Sequence, residues 1–171
     1  MLFNRLGQIT KKQQGFTLIE VLIAIAISSI IGIAVTTSIF QVFDVNARNN
    51  NNMTAINEME NAVYSITPDA QMAQNITATA SSGFPLTLTW VEWNGDSYDV
   101  TYDIQNGQFQ RSYSINGGTP NTTIVAQHID SAQTSCNFTN GTLAFKITAA
   151  VSGYRPASQT RSFTIALRSA Q

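Results

Sequence analysis

Residues 15–27 read GFTLIEVLIAIAI, and they place one acidic side chain, Glu20, near the start of a long apolar run. Residues 16–43 are mainly Ile, Val, Ala, Leu and Phe, and Glu20 is their only charged residue. Because about 20 apolar residues cross a bilayer as a helix, this run predicts a membrane-spanning helix. A charged side chain at the centre of such a helix costs on the order of 2.5–3.5 kcal/mol even on lenient insertion scales. Glu20 therefore needs a cationic partner.

The segment before the run, residues 1–15, reads MLFNRLGQITKKQQG. Its charged residues are Arg5, Lys11 and Lys12. An excess of Lys and Arg before an apolar segment holds that end in the cytoplasm. A secretory signal has its small-residue cleavage site after the apolar region, whereas here the small residue, Gly15, precedes it. Cleavage between Gly15 and Phe16 would remove the hydrophilic leader and leave the apolar segment as the new N-terminus.

The order Gly-Phe-Thr-Leu-Ile-Glu from Gly15 to Glu20 resembles the class III signal of bacterial type IV pilins and type II secretion pseudopilins. The resemblance implies that a prepilin peptidase cuts after Gly15 and methylates the amino group of Phe16. It also implies that Glu20, in the fifth mature position, meets the N-terminal amine of a neighbouring subunit. The alternative is an ordinary signal anchor with a chance Glu, which leaves these three residues unexplained.

The physics of a charged helix in lipid agrees with this resemblance. Residues 16 and 20 lie one turn apart on one helical face. A free α-amine on Phe16 is cationic near neutral pH, so it and the Glu20 carboxylate neutralise each other in lipid. If the pair forms between subunits, each incoming subunit satisfies a charge that is costly alone. We therefore expect Glu20 to act in polymerisation, not in catalysis.

The helix is predicted to continue past the membrane segment, because apolar residues recur at spacings of three and four. They are Met53, Ile56, Met59, Val63 and Ile66. The run of asparagines at 49–52 is predicted to fray or bend, since Asn prefers caps and turns. Pro68 is predicted to end or kink the helix at Thr67, with a further short helical segment over residues 68–76.

After Gly83 the hydrophobic period changes to two, and Asn-Gly pairs separate several of the alternating segments. Asn-Gly between such segments is the strongest short-range hairpin signal. The predicted strands are 86–91, 98–104, 109–115, 122–129, 134–138, 143–151 and 161–168. They predict an antiparallel meander whose apolar face is covered by the helix. The expected fold is therefore α+β and pilin-like, with a long N-terminal membrane-spanning helix packed on the meander.

Composition limits the organisation and the partners of the chain. Its length supports one domain beyond the membrane helix, so we expect a leader over residues 1–15, a membrane and assembly segment over 16–43, and a soluble domain over 44–171. Charged residues make up 11%, below the usual quarter. Without the leader, six Lys and Arg face ten Asp and Glu, a net charge of about −4. Such a charge disfavours nucleic-acid binding.

Other candidate chemistry is weak in this sequence. Cys136 is alone, so no intrachain disulfide is predicted, unlike the many pilins that close a C-terminal loop with a cysteine pair. Asp96, Asp99 and Asp103 fit a solvated hairpin edge better than a calcium site. His128 lacks a second His or Cys for zinc. We predict no catalytic residues, no metal and no cofactor.

Two further sets of side chains are assigned from their positions. Trp90 and Trp93 are predicted to lie on opposite faces, one in the core and the other exposed, where a subunit interface is favoured over sugar binding. The C-terminal arginines are predicted to be scattered, solvated surface residues. They are Arg155, Arg161 and Arg168.

A looser resemblance concerns the type of pilin-like protein. Asp69 and Ala73 fit the D-x-x-x-A pattern that follows the long helix of J-type minor pseudopilins and W-type minor pilins. Tyr102, the Asn-Gly turn at 106–107 and Arg111 are similar to a strand-turn-strand unit in those families. The resemblance implies a minor subunit rather than a major one.

These observations predict a structural subunit, a minor pilin or pseudopilin of a type IV pilus or type II secretion system. The expected partners are other pilin or pseudopilin subunits, a prepilin peptidase, an inner-membrane assembly platform and, before assembly, membrane lipid. We expect a single-pass inner-membrane protein with a cytoplasmic N-terminus that later enters a periplasmic or extracellular filament. The alternative is a binding module at a pilus tip, an adhesin or a DNA-uptake receptor, which would need a contiguous basic or aromatic patch.

Overall fold

A computed structural model describes residues 15–79 and 81–167. The predicted leader lies outside the described residues apart from Gly15, and so does Arg168. One helix and eight strands follow in chain order: α1 (Leu18–Met72), β1 (Asn75–Ala78), β2 (Leu86–Val91), β3 (Ser97–Gln105), β4 (Gln108–Ile115), β5 (Asn121–Ala126), β6 (Ser135–Thr139), β7 (Thr142–Val151) and β8 (Ala157–Ala166). The combination is the α+β, pilin-like architecture expected from the sequence.

The chain divides into two compact units after Phe43. In the first unit, every described residue from 15 to 43 is exposed. The helix to which these residues belong is long and apolar enough to cross a bilayer. Four of its hydroxyls donate to the carbonyl four residues earlier, as at Ser29 to Ile25 (2.8 Å) and Thr36 to Gly32 (2.8 Å). These four hydroxyls are thus satisfied without water.

The second unit contains two antiparallel sheets, each with its strands in sequence order. One sheet runs β1-β2-β3-β4-β5 and the other β6-β7-β8. The helix contributes buried side chains that are small or apolar: Ala55, Met59, Ala62, Ile66 and Ala70. The sheets supply larger ones, including Leu86, Leu88, Tyr102, Phe109, Phe145 and Ile147. Alanine at three of the helical positions allows the backbone of α1 to approach the aromatic side of the sheets closely.

The Asn-Gly hairpins form where the sequence predicts them. Asn106 and Gly107 have φ of 52° and 74°, and they join the paired residues Gln105 and Gln108. The Asn140-Gly141 turn between β6 and β7 repeats this geometry, with φ of 51° and 74°. Positive φ at both central residues is the requirement of a type I′ turn. This requirement explains why Asn followed by Gly occupies both turns.

Of the two effects predicted for Pro68, an end or a kink of the helix at Thr67, the end is wrong, because α1 continues through Pro68 to Met72. Proline removes one helical hydrogen bond and crowds the carbonyl four residues earlier. Beyond it, however, Asp69 and Ala70 are buried against the sheets. These tertiary contacts hold the last turn in helical form. The segment predicted as helix to residue 76 instead turns into β1, which pairs with β2.

The asparagine run and the predicted helical face also differ from expectation. Residues 49–52 are helical, and two of these asparagines bond the C-terminal hairpin: Asn51 Nδ2 donates to the Arg155 carbonyl (2.6 Å), and Gln159 Nε2 donates to Asn52 Oδ1 (3.3 Å). Met53 was predicted on the buried face but is 57% exposed. The buried stripe begins instead at Ala55, because small side chains fit the closest approach. The single predicted meander is in fact two sheets.

Candidate assembly site

Thr17 caps the first turn of α1. Its Oγ1 accepts a hydrogen bond from the Glu20 N–H (3.3 Å), and its carbonyl accepts from the N–H groups of Glu20 (3.1 Å) and Val21 (3.2 Å). Thr followed three residues later by Glu is the spacing of a capping box. Thr17 was not among the site residues predicted from the sequence, although its spacing from Glu20 is a capping signal. The cap fixes the start of the helix at Leu18, two residues before Glu20.

Glu20 lies in the first turn of α1, and its side chain is exposed. An acidic group there interacts favourably with the helix macrodipole, by about 0.3–1 kcal/mol. That gain is smaller than the cost of a charge within lipid. No salt bridge joins Glu20 to a cationic side chain in the part of the chain that the structure describes. The helix dipole therefore lowers the free-energy cost of placing the Glu20 carboxylate in lipid, but it does not neutralise the charge.

Phe16 and Glu20 line the same open depression on the surface of the apolar helix. Further along it lie small side chains, Ala24, Ser28 and Ser29, and two apolar ones, Val21 and Ile25. Phe16 itself is 82% exposed. Small residues on a membrane helix allow a second helix to approach closely. The three predicted site residues, Gly15, Phe16 and Glu20, therefore lie within six residues at one exposed end, beside a face that suits helix packing.

A second polar cluster joins α1 to the larger sheet, inside the unit that follows Phe43. Arg111 on β4 donates Nε to Asp69 Oδ2 (2.6 Å) and Nη2 to Asp69 Oδ1 (3.0 Å). The Tyr102 hydroxyl, on β3, donates to Asp69 Oδ2 (2.6 Å) and lies 2.8 Å from the Ser65 carbonyl. A bidentate Arg–carboxylate pair is among the stronger polar contacts in proteins. These are three of the residues on which the minor-subunit resemblance depends.

The environment of this cluster shifts two pKa values. Burial, together with the hydrogen bond to Asp69, raises the pKa of the Tyr102 hydroxyl well above its usual value. The hydrogen bond to Asp69 raises the pKa of Arg111. Asp69 lies near the C-terminus of α1, where a negative charge is unfavourable to the helix dipole. Arg111 offsets that charge. The cluster therefore holds the end of the helix against β3 and β4, which is a structural role.

Two of the C-terminal arginines form ion pairs with α1. Arg155 pairs with Asp44, and Arg161 lies 3.8 Å from Glu60. About half of each arginine side chain is exposed, as predicted for solvated surface residues. Like Arg111, both have a carboxylate partner, so these three arginines do not form a free basic patch.

Cys136 is buried, and its thiol donates to the Gly83 carbonyl (2.9 Å). Burial raises the pKa of this thiol to about 12, so the thiolate needed for nucleophilic chemistry does not form near neutral pH. Gly83 has a φ of 83°, and a side chain there would collide with the Cys136 backbone. Cys136 is thus a small, buried residue of β6 that packs against Gly83.

Trp90 is buried and stacks on Tyr98, with ring centroids 5.2 Å apart. Trp93 is 97% exposed, so the predicted division between a core and an exposed tryptophan is confirmed. Asp96 bonds Asn94 and Asn116 in the turn. Among the described residues, no group of three or more His, Cys, Asp or Glu is placed to hold a metal ion.

The prokaryotic N-terminal methylation motif matches residues 10–36 of the chain. The chain thus carries the class III signal of type IV pilins, with the depression around Phe16 and Glu20 inside the matched segment. The match supports a pilin-like or pseudopilin-like subunit that is processed by a prepilin peptidase and associates with other such subunits. Subunits of this kind are structural rather than enzymatic. No curated protein and no solved structure matches the chain.

Proposed function

We propose that the chain is a minor pilin or pseudopilin of a type IV pilus or type II secretion system. A prepilin peptidase cuts it between Gly15 and Phe16 and methylates the new amine. Before assembly, the mature protein resides in the inner membrane with its N-terminus towards the cytoplasm. An assembly platform then moves it into a filament through residues 16–43. Residues 44–171 form the soluble domain.

The observation that carries this proposal is the class III signal at the start of an apolar segment, residues 16–43, in which every residue is exposed. Such a surface requires lipid or other helices around it. Glu20 requires a cation, and a methylated amine on Phe16 of the next subunit supplies one at the same depth. Pairing between subunits would lower the free energy of assembly and set the axial register of neighbouring helices.

The assignment to a minor subunit rests on the cluster of Asp69, Tyr102 and Arg111. The resemblance to J-type and W-type subunits named these residues from separate parts of the sequence, and they meet within hydrogen-bonding distance. The competing function is a pilus-tip binding module. For a DNA-uptake receptor the charges are unfavourable, because Arg111, Arg155 and Arg161 are each paired with a carboxylate and phosphate binding needs free cations.

The test of this function is the variant Glu20→Ala, expressed with the partner subunits of its system. Removing the carboxylate also removes the cost of its burial, so the monomer should remain processed and membrane-inserted. Incorporation into filaments, or co-purification with other pilin-like subunits, should fall strongly. The matched control is Gln41→Ala, which removes a neutral polar side chain from the same helix. Equal incorporation of the two variants would refute the assembly role of Glu20.

A further inference from the structure

The four outer strands of the two sheets are covered to different degrees. β1 and β6 approach each other, and the Cys136 N–H at this junction donates to the Ser82 carbonyl (2.9 Å). The chain leaving β5 is held to the helix, because the Gln127 N–H donates to Glu58 Oε2 (2.6 Å). Within residues 15–79 and 81–167, the backbone of β8 bonds only to β7. β8 therefore offers a ten-residue edge of free backbone donors and acceptors.

A groove of about 550 Å³ lies between this edge strand and α1. The groove is lined on the β8 side by Arg161 and Phe163. On the helix side the lining residues are Glu60, Val63, Tyr64, Thr67, Pro68 and Gln71. Their spacings of three and one repeat along the chain, so they form a single stripe on α1. Tyr64 in this stripe is 79% exposed.

The groove continues the core face of the smaller sheet beyond its last strand. Phe163 is paired with Phe145, and Arg161 with Ile147. Since paired residues share a face of a sheet, Phe163 and Arg161 point to the same side as the buried Phe145 and Ile147. A further strand would lie about 4.8 Å outside β8. The inward side chains of this added strand would then face the uncovered helical stripe. The smaller sheet therefore leaves room for one more strand over α1.

We propose that β8 accepts an extended segment of a partner protein as an added strand. The free backbone of β8 provides the main-chain hydrogen bonds, and alternate apolar side chains of the segment fill the groove over Val63, Pro68 and Phe163. A helix in the groove would leave the backbone groups of β8 unpaired, whereas a strand pairs them. Because Glu60 and Arg161 are already paired with each other, the inward positions of the segment should be uncharged.

The edge of β5 is the natural comparison. Residues 121–124 on this edge are exposed, and none of them lines the groove between α1 and β8. A segment added to β5 would form main-chain hydrogen bonds without entering that groove. The inference concerns the domain after Phe43 and does not depend on Glu20 or on assembly through the membrane helix.

The test uses the full chain in detergent micelles and a labelled peptide with the sequence of β7, TLAFKITAAV. That sequence already pairs with β8 across its other side and alternates apolar and polar residues. Binding is measured by fluorescence anisotropy, and backbone protection by amide hydrogen exchange. The peptide control is the same sequence with N-methyl groups at alternate residues, which removes donors without changing the side chains.

We expect saturable binding with slower exchange in residues 157–166. N-methylation should weaken the affinity about tenfold or more, because at least one main-chain hydrogen bond is lost. Phe163→Lys should weaken binding, and so should Tyr64→Lys. Because Tyr64 is exposed, its substitution should leave folding unaffected. Ser162→Lys adds the same charge to the opposite, exposed face of β8 and should bind like the unmodified protein.

Five outcomes would overturn the proposal. Four of them are the absence of saturable binding, equal affinity for the N-methylated peptide, protection of β5 instead of β8, and unchanged binding by both groove variants. Protection of β8 that grows with the concentration of the chain alone would identify a second copy as the occupant, and would also contradict the assignment of a different partner. Loss of filament incorporation in Glu20→Ala leaves all of these readouts unaffected, so the two proposals fail separately.

Discussion

Large apolar side chains occur in both units of the chain, but their surroundings differ. In residues 16–43 every one of them is exposed, whereas in residues 44–167 a continuous cluster of buried side chains from α1 and both sheets forms a core. The second unit therefore has a buried core of its own. The first depends on lipid or on other chains for all of its large apolar side chains. The difference indicates that the first unit, along its whole length, is built to exchange one surrounding for another.

The acidic residues of the two units show the same contrast. Asp69 accepts hydrogen bonds from Arg111 and Tyr102 within its own domain. Glu20 has the helix dipole and a capped first turn, but no cationic partner among the described residues. A carboxylate that is fully partnered stabilises a fold. A carboxylate that lacks a cation in lipid favours association with a chain that provides one.

The largest effect on the domain is expected from Asp69→Ala, which would leave Arg111 and Tyr102 without their acceptor. Removing one partner of a buried pair costs about 3–5 kcal/mol. We expect about 2–3 kcal/mol here, because the Arg111 side chain remains 26% exposed to solvent and water replaces part of the interaction. Urea unfolding of the full chain in detergent micelles measures the loss.

Membrane insertion of this variant should be unaffected, in contrast to its stability. None of residues 16–43 belongs to the buried core. Asp69→Ala should therefore leave extraction by detergent and leader cleavage unchanged. A stability within about 0.5 kcal/mol of the parent would place Asp69 among ordinary surface substitutions and contradict the structural role of the cluster.

A smaller and graded effect is expected at alkaline pH. Since the folded pKa of Tyr102 is raised, the unfolded chain releases this proton first, near the usual tyrosine pKa of about 10. The stabilisation is complete below that pH and is lost as pH rises towards the folded pKa, with a slope of up to about 1.4 kcal/mol per pH unit. Unfolding free energies between pH 9 and about 11.5 measure it.

Tyr102→Phe is the matched variant for the alkaline loss. It removes the hydroxyl that donates to Asp69, so it should cost about 1–1.5 kcal/mol at neutral pH. The decline of stability above pH about 10 should be shallower in this variant than in the parent. Parallel pH profiles for the two proteins would exclude Tyr102 as the titrating group.

The smallest effect is expected from Arg155→Ala. Its pair with Asp44 lies on the surface, where about half of the arginine side chain is exposed, and pairs of this kind contribute little to stability. We expect a slight decrease in the thermal midpoint that 1 M salt removes. A clear decrease that persists in high salt would show that Arg155 acts through packing instead of charge.

Local patterns were sufficient to predict much of this fold. The apolar run, the alternating strands and the Asn-Gly turns depend on neighbouring residues, and the structure has them near the predicted places. The last strand, β8, begins at Ala157, four residues before its predicted start. The helical end at Thr67 failed because the burial of Asp69 and Ala70 outweighs the effect of Pro68. β1 was missed because Asn75–Ala78 has no apolar alternation and is defined by its pairing with β2. The separation of the sheets after β5 is likewise a property of long-range packing.

The candidate site divides in the same way. Gly15, Phe16 and Glu20 were identified because their signal is contiguous, and their roles in cleavage and assembly stay predictions. Asp69, Tyr102 and Arg111 were noted through resemblance alone, since no spacing rule brings together residues 33 and 42 positions from Asp69. The groove beside β8 had no sequence signal. Its helical stripe contains three polar residues, and the edge position of β8 depends on the whole topology.

Mass spectrometry of the N-terminus of the protein purified from membranes tests directly whether the class III signal is processed. We expect a chain that begins at Phe16 with one added methyl group, in cells with an active prepilin peptidase. Gly15→Ala should retain the leader. Gly32→Ala should be processed normally, because a methyl group added at Gly32 meets nothing within 4 Å. A purified chain that still begins at Met1 in such cells would show that the protein is not a processed pilin-like subunit.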